Sequence, residues 1–260
     1  MNHSKRHAEI LRMLREEGTI SIAALASRLG VSLETVRRDV KPLTGDGSIL
    51  KMHGAVGLAE HNGEAPFERR MRENAAAKRA IARHVAATIS DGESVMLDTG
   101  TTTSFLAREL LGHRRLTVVT NSADIARTLA TVNGNRVYMA GGELRSDSGA
   151  AFGVSAIEFI NRFSVDHAVI SVGAVDVEGL MDYDLEESEF ARTVLARGSR
   201  RLAVTDHSKF GRRGLVRICT MDGVSALVTD RAPPADIADA LAASGARLEV
   251  ASVDGAGEQH

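Results

Sequence analysis

Apolar residues recur at helical spacing through the first forty or so positions, then in short runs that alternate with helical segments through most of the chain. In residues 5–17 (KRHAEILRMLREE), Ile10, Leu11 and Leu14 share one face, which predicts a helix closed by Gly18. Ser21 is placed to cap a second helix, in which Ile22, Leu25, Ala26 and Leu29 form the repeating stripe. Gly30 ends that helix, because glycine takes a left-handed C-terminal conformation at little cost. Ser32 caps a third helix, with Glu34 and Thr35 in its first turn and Val36, Val40 and Leu43 facing inward. Pro42 stands inside this third helix, where it removes one hydrogen bond and crowds the preceding turn, so a bend or stop near Lys41 is expected. Gly45 and Gly47 bracket a turn, and residues 49–53 form a short strand with basic positions at Lys51 and His53.

Residues 55–74 lack strong periodicity and read as a linker. Residues 75–89 are helical and end at Asp91-Gly92. Strands are then expected at 94–98, 116–120, 136–140, 167–172, 201–205, 224–229 and 247–250. Helices fall between most of them, at 103–111, 123–132, 154–163, 185–196 and 235–243. Such alternation specifies an α/β domain with a largely parallel sheet and helices on both faces. The domain limits expected are 1–57 for the helical module, 58–74 for the linker, 75–253 for the sheet domain and 254–260 for a disordered tail.

Charge changes the picture more than composition does. The net charge of −2 does not suggest a nucleic-acid binder, but residues 1–57 hold nine Lys+Arg against six Asp+Glu, and the remainder hold 23 against 28. A mildly basic N-terminal module on an acidic body is the distribution of a DNA reader joined to something else. With no Trp and two Tyr, single-strand recognition by base stacking is disfavoured. Cys219 is the one cysteine, so an intrachain disulfide and a thiolate metal cluster are both excluded, and its apolar neighbours favour an inert buried thiol. The nine histidines are scattered without metal-ligand spacing, and there is no Walker motif and no GxGxxG, so no cofactor is implied. No apolar run reaches the ~20 residues that span a bilayer, and the polar N-terminus has no signal-peptide pattern, so a cytoplasmic location is expected.

Two short helices joined by a glycine turn, followed by a basic strand, describe a winged helix-turn-helix. Arg37 and Arg38 are adjacent and so point ~100° apart on the third helix, which allows one to reach a phosphate and the other a base edge. Ser32, Thr35, Arg37 and Arg38 are the candidate groove readers, with Lys51 and His53 at the backbone. An ordinary solvated charged face would explain the arginine pair if it stood alone.

A second site is read from the loops after successive strands, since ligands of open α/β sheets bind beyond the strand carboxyl ends. Asp98-Thr99-Gly100-Thr101-Thr102-Thr103 opens a helix whose free amides and hydroxyls make an anion site. Thr120-Asn121-Ser122 lies at the next strand end. Gly141-Gly142-Glu143-Leu144-Arg145 follows the third strand, with Arg145 a candidate partner for phosphate, and Asp206-His207-Ser208-Lys209 places a lysine past a fourth. Each loop also contains what any cap or turn needs; four of them at one sheet edge point to a pocket. Asp98, Glu143 and Lys209 also contain the acid–base groups of an isomerase, although the fused DNA reader argues against turnover.

The run Gly30-Val31-Ser32-Leu33-Glu34-Thr35-Val36-Arg37-Arg38-Asp39-Val40 and the close Met52-His53-Gly54-Ala55-Val56 resemble the DeoR family of bacterial transcription regulators. Pro42 and the single Gly54 depart from that family's pattern. Asp98-Thr99-Gly100-Thr101-Thr102, Thr120-Asn121, Gly141-Gly142-Glu143-Leu144-Arg145 and Asp206-His207-Ser208-Lys209-Phe210 resemble the family's effector domain, and the last resembles its glycerol-3-phosphate repressor branch. The resemblance implies a C-terminal domain related to ribose-5-phosphate isomerase that binds a phosphorylated sugar or polyol. It implies that Thr101, Thr102 and Thr103 hold phosphate while Asp98, Asn121, Glu143 and Lys209 surround the sugar. A non-enzymatic transcriptional repressor is expected, working on a double-stranded DNA operator as a homodimer or homotetramer.

Overall fold

Three amphipathic helices close the N-terminal core. α1 (His3–Glu17), α2 (Ile22–Leu29) and α3 (Leu33–Gly45) bury Ile10, Leu14, Leu25, Val36, Val40 and Leu43 together. This computed structural model describes residues 3–17, 19–45, 49–52, 54–58 and 64–252, so His53 and the tail expected at 254–260 lie outside the described residues. Two compact units part between Arg70 and Met71.

Ser21 caps α2 by accepting from the Ala24 amide at 3.0 Å, and Gly30 ends it at φ 63°. α3 does not stop at Lys41 but continues through Pro42 to Gly45. Val40 and Leu43 are buried on either side of the exposed Pro42, and their packing outweighs the hydrogen bond that proline forfeits. Arg6 on α1 grips Asp39 on α3 through Nε at 2.7 Å and Nη2 at 3.1 Å. Asp39 is fully buried, so this fork fixes α3 against α1.

The wing is a three-stranded antiparallel sheet in the order β1-β3-β2, built from β1 (Thr19–Ser21), β2 (Ile49–Met52) and β3 (Ala55–Leu58). β1 is too short to leave a periodic signal; Ile20, paired with Val56, ties it to the core. Two parts of the stretch expected as a linker are regular structure. Ala55–Leu58 is a strand, and Phe67–Arg72 forms helix α4, which begins on the buried Phe67. Arg70 lies over the Phe67 ring and pairs with Glu64 at 2.6 Å.

In the second unit, α5 (Ala75–Ala86), β4 (Ser94–Leu97), α6 (Thr101–Glu109), β5 (Thr117–Thr120), α7 (Ala123–Leu129), β6 (Arg136–Met139) and α8 (Val154–Ile160) come first. They are followed by β7 (Val165–Ser171), β8 (Ala174–Asp176), β9 (Gly179–Asp182), α9 (Leu185–Leu195), β10 (Gly198–Val204), β11 (Val216–Cys219), β12 (Ala226–Thr229), α10 (Ala235–Ser244) and β13 (Arg247–Val250). The seven-stranded sheet has the order β13-β12-β10-β7-β4-β5-β6, with every pair parallel. Alternate residues of β4 feed opposite layers: Met96 belongs to the hydrophobic cluster that includes Ile160, Phe190 and Leu241, while Val95 and Leu97 belong to the one that includes Ile81, Leu106 and Ile125. Helices therefore cover both faces, and each buried strand reads as a continuous apolar run.

The strand order decides where a ligand can enter. The chain moves from β4 outward through β5 and β6, then returns to pair β7 on the other side of β4. Connections leave β4 and β7 in opposite directions, so their carboxyl ends are the switch point of the sheet, the crevice at which ligands of such folds bind. β8, β9 and β11 form a separate antiparallel sheet that sequence periodicity does not reveal, because these strands interrupt the helix–strand alternation.

Candidate functional site

In the N-terminal unit, Ser32 and Thr35 build the start of α3. The Thr35 amide donates to Ser32 Oγ at 3.2 Å, and the two hydroxyls lie 2.9 Å apart. Thr35 is half-buried in this cap, whereas Ser32, Arg37 and Arg38 are exposed and Val36, Val40 and Leu43 are buried. Glu34, which sequence reasoning left without a role, is also exposed and lies 3.6 Å from Arg37. Its carboxylate both restrains Arg37 and favours the positive end of the helix. Lys51 is on β2, within the wing.

In the second unit, Asp98 stands at the β4–β7 crevice. Its two oxygens accept from the Ser171 amide at 3.0 and 3.1 Å, which pins the end of β7 to the end of β4. Burial pushes this carboxyl well above the usual carboxylate range, the nearby Asp182 and Glu187 add to the effect, and the Ser171 amide opposes it. Gly100 follows in an extended conformation, where an added Cβ would meet Ser171 Cβ at 2.3 Å. Glycine therefore permits the close approach of the loop to β7, and it leaves the first turn of α6 without a side-chain cap. Thr101, Thr102 and Thr103 are buried there, and Thr103 Oγ1 donates to the carbonyls of Asp98 and Gly100 at 3.0 Å each. A buried helix start with uncapped amides suits an anion.

Asn121 is fully buried and donates Nδ2 to the Ala151 carbonyl at 2.9 Å. Its Oδ1, with Thr99 Oγ1 and Ser148 Oγ, is buried without a hydrogen-bond partner among the described residues. Buried polar atoms are seldom left so, and these three follow β4, β5 and β6 at one edge of the sheet.

Arg145 does not stand open to a phosphate. Its guanidinium reaches Asp184 at 2.9 Å, Glu186 at 2.5 Å and Glu187 at 3.0 Å, and lies 4.2 Å from the centre of the Phe152 ring. Partial burial opposes its charge, but the hydrogen bonds from Asp184 and Glu186 prevail and raise its pKa above the ordinary arginine value. Arg145 is thus a clamp that holds the 141–153 loop to the start of α9, a role readable only once α9 is placed in space. Gly142 and Glu143 on that loop are exposed.

Lys209 ends a single helical turn, His207–Lys209, that is held from several sides. Asp206 is buried and accepts from the Ser208 amide at 3.0 Å and from Asn74 at 2.8 Å. His207 donates its amide to Asp230 at 2.7 Å, and its Nδ1 lies 2.7 Å from the other oxygen of that carboxylate. Gly211 donates to the Val175 carbonyl at 2.9 Å. Asn74 and Asp230 were not legible in sequence as parts of this turn, because each is far from it along the chain.

Each of the two units matches a known protein family. Residues 6–62 match the DeoR-like helix-turn-helix domain, and residues 73–231 match the DeoR C terminal sensor domain. The chain belongs to the DeoR family. The glycerol-3-phosphate regulon repressor of Escherichia coli (strain K12) is 33% identical to this DeoR-family protein over 251 residues, covering 96% of this chain and all of that one. The HTH-type transcriptional repressor CsqR of the same organism is 38% identical over 237 residues, 91% of each chain. Ribose 5-phosphate isomerase A from Neisseria gonorrhoeae is 15% identical, with a TM-score of 0.39 over 52% of this chain and 53% of that one. Cys219, packed beside the apolar core, has its thiol pushed up to about 11, by burial first and Asp222 second, which makes it a poor nucleophile. No helix among the described residues is long and apolar enough to cross a membrane.

Proposed function

We propose that this DeoR-family protein is a sequence-specific repressor of sugar or polyol catabolism genes, controlled by a phosphorylated sugar or polyol. The observation that carries the effector half is that the first turn of α6, at the end of β4, has no side-chain cap, while Thr99, Asn121 and Ser148, which follow β4, β5 and β6, have buried polar atoms without a partner among the described residues. In this reading the amides of Thr101, Thr102 and Thr103 hold the phosphate, and Asp98, Asn121 and Lys209 face the hydroxylated part. Glycerol 3-phosphate is the first compound to try, given the repressor of that regulon among the relatives. On DNA, Arg37 and Arg38 enter the major groove from α3, with Ser32 beside them and the wing strand of Lys51 against the phosphates. One module of modest charge binds weakly, so the protein works as a homodimer or homotetramer on paired half-sites, in the cytoplasm, without turnover of its effector. The effector changes operator affinity only through its different affinity for the two arrangements of the protein.

Thermal unfolding against a panel of phosphorylated sugars and polyols tests the effector site. A specific ligand at 100 times its dissociation constant stabilises by ~2.7 kcal/mol. A silent panel would remove the crevice from the proposal. For the groove, Arg38→Ala is expected to weaken binding to a selected operator by ~1–3 kcal/mol, measured by fluorescence anisotropy. Unchanged affinity would exclude Arg38 as a base reader.

A further inference from the structure

Asn74 is the residue at which α5 begins, four positions past Arg70, where the two units part. It has a left-handed backbone, φ 51° and ψ 32°, and its side chain does not cap its own helix. Instead, Asn74 Nδ2 donates to Asp206 Oδ1 at 2.8 Å, across 132 residues of sequence. Asp206 is buried, and the same oxygen accepts from the Ser208 amide at 3.0 Å, which starts the turn that ends at Lys209. On its other side Asn74 follows α4 by two residues, and α4 itself runs across the boundary between the units.

We propose that the Asn74–Asp206 hydrogen bond is a positioning tie that couples the Lys209 turn to the α4–α5 junction, and so passes the state of the effector site toward the DNA-reading unit. This rests on the effector reading above. An asparagine at a helix start ordinarily satisfies a nearby amide of that helix. Here the amide group is spent on a buried carboxylate in the candidate site, while the local cap is forgone. The side chain of a single residue thus meets the effector loop, and its backbone meets the chain leading to the other unit. Any ligand that draws Lys209 toward a phosphate or hydroxyl pulls on Asp206, because the carboxylate organises the same turn. Asn74 and the start of α5 must follow, or the bond must break. Asparagine suits both demands: it is tolerated at positive φ and carries the donor.

Hydrogen exchange on the full-length protein tests the tie. Asn74→Gly keeps the left-handed backbone and removes the side-chain bond; Thr128→Ala, which loses an ordinary hydroxyl-to-carbonyl bond within α7 of the same unit, serves as the control. Asn74→Gly is expected to raise amide exchange at residues 206–209 at least tenfold, and Thr128→Ala to leave it unchanged. Unaltered exchange at 206–209 in Asn74→Gly would overturn the tie. In a second arm the wild type and Asn74→Gly are saturated with glycerol 3-phosphate. Protection of residues 98–104 is expected in both proteins, with an accompanying change at residues 67–78 in the wild type alone. A change at 67–78 in both would show that the signal travels by another route. No protection of 98–104 in either protein would count against the effector reading with this ligand, while the first arm would still decide the tie.

Discussion

Gly100→Ala is expected to destabilise the effector unit by ~1–3 kcal/mol, the usual penalty for forcing extra volume into a packed site. The new Cβ would lie 2.3 Å from Ser171 Cβ, 2.7 Å from Ser171 Oγ and 3.1 Å from Thr103 Oγ1. Ser171 Cβ is bonded to the β7 backbone, so the clash cannot be relieved by swinging a flexible side chain away. Either β7 moves off β4 or the start of α6 moves, and both movements disturb the amides assigned to phosphate. At roughly 2–4 °C per kcal/mol for a unit of this size, the loss is easily seen in thermal unfolding. Because Gly100 is in an extended conformation, the effect is steric and not a matter of backbone strain. Adding Ser171→Gly removes both of the closest atoms and is expected to restore much of the stability. A double variant no more stable than Gly100→Ala alone would show that the crevice is not this tightly closed.

Asp98→Asn has its largest expected effect in the pH dependence of stability. The folded protein raises the Asp98 pKa well above its value in the unfolded chain, through burial first and through Asp182 and Glu187 second. Between the unfolded value, ~3.9, and the raised folded value, the folded state binds more protons than the unfolded state. The contribution of Asp98 to stability is therefore fully present below the unfolded pKa and falls as pH rises toward the folded one. Asparagine keeps an acceptor for the Ser171 amide and does not titrate. The variant should gain on the wild type as pH is raised from 4 toward neutrality, followed by melting temperature in buffers of matched ionic strength. A constant difference across that range would mean that Asp98 titrates in the folded protein as it does in the unfolded chain.

The chain's local patterns determined a great deal by themselves. Ser21, Gly30 and Ser32 act as caps and stops through bonds made within a few residues, so their roles are legible without the fold. The apolar runs of β4, β5, β7, β10 and β12 are continuous because both faces of the sheet are covered, and that continuity announces a parallel sheet in advance. The loops after those strands, with Asp98, Gly100 and Asn121, were visible as candidates because caps and close approaches demand particular residue types.

The rest was decided by long-range contacts that leave no periodic trace. β1 is three residues long and exists because β3 lies beside it. α3 survives Pro42 because Val40 and Leu43 are buried on either side of it. Arg145 looked like a phosphate ligand from its place after a strand, but α9 brings three carboxylates to it from about forty residues away, and a charge so surrounded is no longer available. Asn74 and Asp230 reach the Lys209 turn only through the sheet order. Sequence specifies what each side chain can do; the crossing of the chain over β4 decides which of them meet.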